Sequence, residues 1–270
     1  IVQSLNHVLA LQEKTSVSKI PKMQSTTSYL SHWSVSNIKA AFDYYFKSDV
    51  ATDSMNVSQS KVNTLILQEF LAQQITDNLT GIQFKDSIQA DSCHTLMIFP
   101  LKEPLTAKQK LIDFYFKAKR DDKQMPPRRL KWIHGEAYTI YSLPINQILN
   151  QFTGDITSGI DYDYAIVYQN NLLISTQMHS LVNYISFIET SDTLKVFTEE
   201  FENLHLKSDY QLSGYMDFDL LLDKPNHYSG FILPSVVLYY SEVLKNFRLF
   251  YQFDVKSKET SLDLNFVYKK

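Results

Sequence analysis

The strongest constraint on the fold lies at the end of the chain. Phe247, Leu249, Tyr251, Phe253 and Val255 alternate with mostly polar neighbours, and after "KSKET" the alternation returns as Leu262, Leu264, Phe266 and Tyr268. A period of two puts every second side chain on one face of an extended strand. Two such runs joined by a polar turn predict an antiparallel hairpin with one apolar face.

The rest of the chain mixes this period with the helical one. "TTSYLSHW" and "HTLMIFP" read as strands, and "LSGYMDFDLL" alternates Leu212, Gly214, Met216 and Phe218 against Ser213, Tyr215, Asp217 and Asp219. Ile38, Ala41, Phe42, Tyr45 and Phe46 follow helical spacing after capping serines. A further helix is expected over 62–78, and "TAKQ" has the form of a capping box at the start of another. Residues 47–61 read as a loop, and "GEAYTIYSLP" as a strand followed by a short helix from Pro144. "YAIVYQNNLLIST" predicts a hairpin turning at Asn170-Asn171, because Asn tolerates the left-handed backbone of a tight turn. After it, Met178, Leu181, Val182, Ile185 and Ile188 stripe one helix, and Leu194, Phe197, Phe201 and Leu204 a second. A last helix is expected near 231–246.

This order predicts an α+β fold of mixed, largely antiparallel sheets with helices packed on one face, arranged as two loosely repeated strand-helix-hairpin units. The boundary falls in "GDITSGIDY", giving an N-terminal unit of 1–156 and a C-terminal unit of 157–270, or one continuous domain.

Several function classes lose their footing here. The 26 basic and 29 acidic residues leave a net charge of -3, so nothing global favours nucleic acid. Cys93 is the only cysteine, which excludes an internal disulfide and multi-cysteine zinc. The longest apolar run, "GFILPSVVLYY", falls far short of the roughly 20 residues that cross a bilayer, so no membrane span is expected. The six glycines form neither a dinucleotide fingerprint nor a phosphate loop. Seven histidines are scattered without metal-ligand spacing, so neither metal nor cofactor is expected. There is no G-x-S-x-G elbow, and no catalytic residue is assigned. A hydrolase assembled from distant residues is the enzymatic alternative. The start, "IVQSLNHVLA", lacks an initiator Met and a leader pattern, which reads as an internal fragment.

Two local patterns are candidate chemistry. Asp217 and Asp219, like Asp161 and Asp163, share a face if the chain is extended, a spacing that suits a cation or acid–base work; a solvated strand face is the commoner role. "KAKRDDKQMPPRRLKWIH", residues 117–134, sets seven cations against two acids around a Pro-Pro break. Read as a loop, it offers Arg128, Arg129 and Lys131 as donors to an anionic ligand and Trp132 as a stacking surface. Against this stands a helix C-terminus whose cations complement the dipole, followed by an exposed connection.

"SVSKIPKMQSTTSYLSHWSVSNIKAAFDYYF", "GEAYTIYSLP", "YDYAIVYQNNLLISTQMHSLVNYISFIETSDTL", "FENLHLKSDYQLSGYMDF" and "LFYQFDVKSKETSLDLNFVYK" occur in an order that resembles the conserved-hypothetical envelope proteins of Bacteroidetes, which carry a domain of unknown function. The resemblance implies a cell-envelope location, periplasmic and membrane-anchored through an upstream signal or anchor, and often a β-propeller on the C-terminal side. It carries no catalytic or binding residues. The expected function is therefore a non-catalytic envelope module for interaction or assembly, with other envelope proteins as partners. The alternative is a binding module for an anionic ligand at 117–134.

Overall fold

The computed structural model describes residues 10, 12–16, 20–21, 23–24, 26–37, 72–85, 93–121, 127–143, 163–175, 177–190, 207–222, 238–256 and 259–269. Among these residues ten strands form a single sheet: β2 (Thr27–Ser34), β3 (Asn78–Lys85), β4 (Cys93–Pro100), β5 (Arg129–Ile133), β6 (Glu136–Leu143), β7 (Asp163–Tyr168), β8 (Asn171–Ser175), β10 (Leu212–Asp217), β11 (Phe247–Lys256) and β12 (Glu259–Tyr268). Across the sheet they run β12-β11-β10-β2-β3-β4-β8-β7-β6-β5, and every pairing is antiparallel. A separate short ladder joins β1 (Thr15–Ser16) to β9 (Asp209–Tyr210). The fold is α+β with sheet predominant. Strands on either side of residue 156 interleave, since β7 and β8 lie between β4 and β6.

Five helices lie among the described residues: α1 (Ala72–Gln74), α2 (Pro104–Asp121), α3 (Met178–Thr190), α4 (Phe218–Leu222) and α5 (Ser241–Leu244). Alternation along the central strands decides where the long ones sit. Met97 and Phe99 of β4 join Leu172 and Ile174 of β8 in a core with Ala107, Leu111 and Tyr115 of α2. Leu96, Ile98 and Leu173 point the other way, into a core with Leu181, Tyr184 and Ile185 of α3. The two long helices therefore cover opposite faces of one sheet, where the sequence led us to expect helices on one face. With both faces buried, the central strands read as nearly continuous apolar runs rather than alternating ones.

Local expectations fare unevenly. The stripe on α3 is as expected, with Met178, Val182 and Ile188 packed at the margin of its core. The expected helix over 62–78 gives way at its end: Ile75 and Leu79 are fully buried, but Leu79 belongs to β3. Residues 62–71, the helices expected at 35–46, 144–150 and 193–204, and the loop 47–61 lie wholly or largely outside the described residues. α2 begins at Pro104 rather than at the Thr106 box; proline suits the first helical position because its missing N–H has no partner there anyway. The hairpin turn is Gln169–Asn170, one residue earlier than Asn170-Asn171, because Tyr168 pairs with Asn171, which also pairs with Pro100. Gln169 alone carries the positive φ of that turn, 50°.

The C-terminal hairpin forms as expected, in an unbroken register from Phe247↔Tyr268 to Lys256↔Glu259. One of its faces holds Phe250, buried, and Val267 against the α3-side core. The other carries the odd residues of β11 and the even residues of β12. It continues through Gly214, paired with Tyr251, and Leu212, paired with Trp33, toward the α2-side core.

Candidate functional site

The residues singled out for an anionic ligand are not on a loop. Arg129, Lys131 and Trp132 belong to β5, an edge of the sheet, and Arg128 immediately precedes it. Alternation places Arg129 and Lys131 on the side of buried Ile133, and Leu130 and Trp132 on the opposite side. Trp132 is 70% exposed. Arg128 turns elsewhere, its guanidinium 5.3 Å over the Phe116 ring while its backbone N–H donates to Tyr115 Oη at 2.7 Å. The four side chains do not converge on one point.

A concave site lies next to them, where the sheet splits. β6 pairs with β7 only from Tyr141 to Leu143, while its first half, Glu136 to Ile140, pairs with β5. The gap holds a cleft of about 540 Å³ lined by Lys108, His134, Glu136, Tyr138, Tyr168 and Glu189 among others. A tight turn positions His134: with φ of 46° at His134 and 87° at Gly135, the β5–β6 connection has the two positive angles of a two-residue hairpin. His134 Nε2 lies 2.8 Å from Ser186 Oγ of α3.

Tyr138 is the centre of the cleft's chemistry. Its hydroxyl lies 2.8 Å from Glu136 Oε2 and 2.8 Å from Glu189 Oε1. A phenol has one proton to give, and ionised carboxylates only accept. The trio is one proton short of its two contacts, so it suits a hydrogen-bond donor or a cationic group rather than an anion. Burial, and then the bonds to Glu136 and Glu189, hold the Tyr138 hydroxyl above its usual range. Tyr168 is raised as well, by burial first and then by Glu189, and its hydroxyl accepts from Gln169 Nε2 at 3.1 Å. Sequence offered only one hint of this cleft, Glu136 and Tyr138 two apart on a strand. Tyr168 reaches it through the strand order, and Glu189 from α3.

The Asp217/Asp219 pair resolves into structure. Asp219 lies in α4, and Asp217 caps that helix, its Oδ1 accepting from the N–H groups of Asp219 at 3.1 Å and Leu220 at 3.3 Å. Lys269 also binds Oδ1, and Arg248 Nε and Tyr215 Oη reach Oδ2 at 3.4 and 3.3 Å. A buried carboxylate with this many donors is satisfied where it stands. Asp161 is outside the described residues, and Asp163 opens β7. No group of His, Cys, Asp or Glu suited to a metal occurs among the described residues, and no described helix is long and apolar enough to cross a membrane.

The C-terminal hairpin also carries an exposed apolar row. On β12, Leu262 is 54% exposed, Leu264 49%, Phe266 53% and Tyr268 61%. They flank Phe247, Leu249, Tyr251 and Phe253 of β11, which are half-buried. Phe247 and Leu249 also pack on Phe218 and Leu222 of α4. Comparison with protein-family models, curated proteins and solved structures finds no match for this chain.

Proposed function

We propose that this chain is a non-catalytic module for interaction or assembly, and that the open face of the β11–β12 hairpin is its contact surface. The observation that carries this is the row Leu262, Leu264, Phe266 and Tyr268, contiguous on one face and each about half exposed. Isolated exposed apolar residues are ordinary, but a contiguous row marks a surface that another molecule covers. Full burial of one such side chain is worth about 1.5–3 kcal/mol. The cell-envelope location, the upstream anchor and envelope proteins as partners rest on the family resemblance. The reading of two diverged strand-helix-hairpin units rests on the sequence pattern alone.

The anionic-ligand alternative at 117–134 draws less support. Arg129 and Lys131 face away from Trp132, and the concave site beside them is rich in acceptors. Immobilised wild type, Leu262→Ser/Phe266→Ser and Arg128→Ser/Arg129→Ser/Lys131→Ser, each exposed to envelope extracts, separate the readings. The expected result is a defined partner retained by wild type and by the triple variant and lost by the double variant. A partner kept by the double variant, but lost by the triple variant and at high salt, would establish the basic segment instead.

A further inference from the structure

We propose that a second copy of this chain pairs with β12, edge to edge and antiparallel, with Leu264 on the two-fold axis. This rests on the reading of the hairpin as a contact surface, but it uses the backbone edge of β12 rather than its apolar face.

The edge is long and has no cation or proline of its own, although Lys207 lies against it, its Nζ 2.6 Å from Asp263 Oδ2. β12 spans ten residues, Glu259–Tyr268, with no Lys, Arg or Pro among them. Its ladder with β11 has no bulge, and among the described residues no strand pairs with its outer side. Exposed edges are normally blunted by such devices, because unpaired N–H and C=O groups are a template for another strand.

The strand is also complementary to itself. Pairing must keep Leu262, Leu264, Phe266 and Tyr268 on one face, and a slip by one residue would send the partner's row to the other. Symmetric registers must then centre on a residue, and those centred on Asp263 and Leu264 keep the most of the strand paired. A centre at Asp263 sets that carboxylate against its own copy, and like charges directly opposite are unfavourable. A centre at Asn265 sets Asp263 against Val267. A centre at Leu264 sets Asp263 against Asn265, Leu262 against Phe266, Thr260 against Tyr268, and Glu259 against Lys269. Of the two registers that overlap most, only the one centred on Leu264 matches both acids of the strand with a hydrogen-bonding or basic residue. It yields an isologous contact that closes as a dimer and joins the two apolar rows into one continuous face.

Sedimentation of the purified chain tests this, with the dimer expected at twice the 31.4 kDa chain mass. Leu264→Cys should form a disulfide-linked dimer on mild oxidation, because facing Cα atoms in an antiparallel pair lie about 4.5–5.5 Å apart, within disulfide reach. The wild type, whose single cysteine is Cys93, should not. Asn265→Asp opposes two carboxylates twice per dimer and should weaken association roughly tenfold. Asp263→Asn/Asn265→Asp exchanges the partners and should restore it, a rescue that mere loss of folding would not produce. A wild type that stays monomeric up to about 100 μM overturns the proposal, as does a dimer in which Leu264→Cys fails to cross-link and Asn265→Asp changes nothing. If the chain is monomeric and the Leu262→Ser/Phe266→Ser variant still loses its envelope partner, self-pairing falls and the contact-surface reading stands. If it dimerises and that variant keeps its partner, the reverse holds.

Discussion

Among the described residues, β5 and β12 close the two ends of the same sheet, and they differ in length, charge and anchorage. β5 has five residues, of which Arg129 and Lys131 are exposed cations, and it follows Pro127. β12 has twice that length and no cation or proline. Cations and short strands deter edge-to-edge pairing, so Arg129 and Lys131 have a sufficient role where they stand without any ligand. The same principle makes β12 conspicuous. Its neighbourhood is also the more strongly fixed: Asp217 and Asp254, both buried, tie the strands around it to Arg248, Lys269, Lys14 and Gln211. A surface prepared for contact gains from this, because a rigid strand loses less entropy when another chain docks on it.

The largest effect should follow from loosening that anchorage. Asp217→Ala removes the cap of α4 and leaves Arg248 and Lys269 without their shared carboxylate. Both cations retain some access to solvent, at 34% and 22%, so the cost is set at about 2–3 kcal/mol, below that of breaking a fully buried pair. Urea denaturation measures it. A loss under about 1 kcal/mol would mean that the β12 end is held by packing alone.

Next in size is Gly214→Ala. A Cβ at Gly214 would fall on the ring of Tyr251, its partner across the β10–β11 ladder. The ring must move toward the open face, at a cost of about 1–3 kcal/mol. Tyr251→Ala should remove most of that cost, so the double variant should be far from additive. Additive losses would show that the glycine is there for some other reason.

What the sequence disclosed depended on how many faces of a strand are buried. β11 and β12 were legible because one face is apolar and the other polar, and α3 because its stripe follows one helical face. β3 was lost because seven of its eight residues are buried, which erases alternation, and because Ile75 and Leu79 happen to sit at helical spacing. β5 was lost for the opposite reason: four of its five residues are exposed, and charge made it look like a connection. The turn at Gln169–Asn170 was displaced by one because Asn is the more familiar left-handed residue, whereas pairing with β4 fixed Asn171 in β8. The cleft was illegible. It depends on β6 joining β7 only from Tyr141 onward, and nothing local in the sequence announces that divergence.

The smallest effect on stability, and the sharpest test of the contrast, comes from removing the guard on β5. Arg129→Thr/Lys131→Thr replaces exposed cations by residues that favour strands. Exposed charges contribute little to folding, so the unfolding free energy should stay within about 0.5 kcal/mol of wild type. Association should nevertheless change, because five residues that repelled a neighbouring copy would now present bare N–H and C=O groups beside the exposed Leu130 and Trp132. A chain already paired through β12 would then carry a second adhesive edge at the far end of its sheet. Two such edges on one molecule propagate rather than close, so light scattering should reveal species larger than a dimer, growing with concentration. In an Asn265→Asp background the growth should stop at pairs formed through β5. If instead the double substitution leaves the size distribution of wild type untouched, cations are not what keeps β5 apart, and its shortness alone protects it.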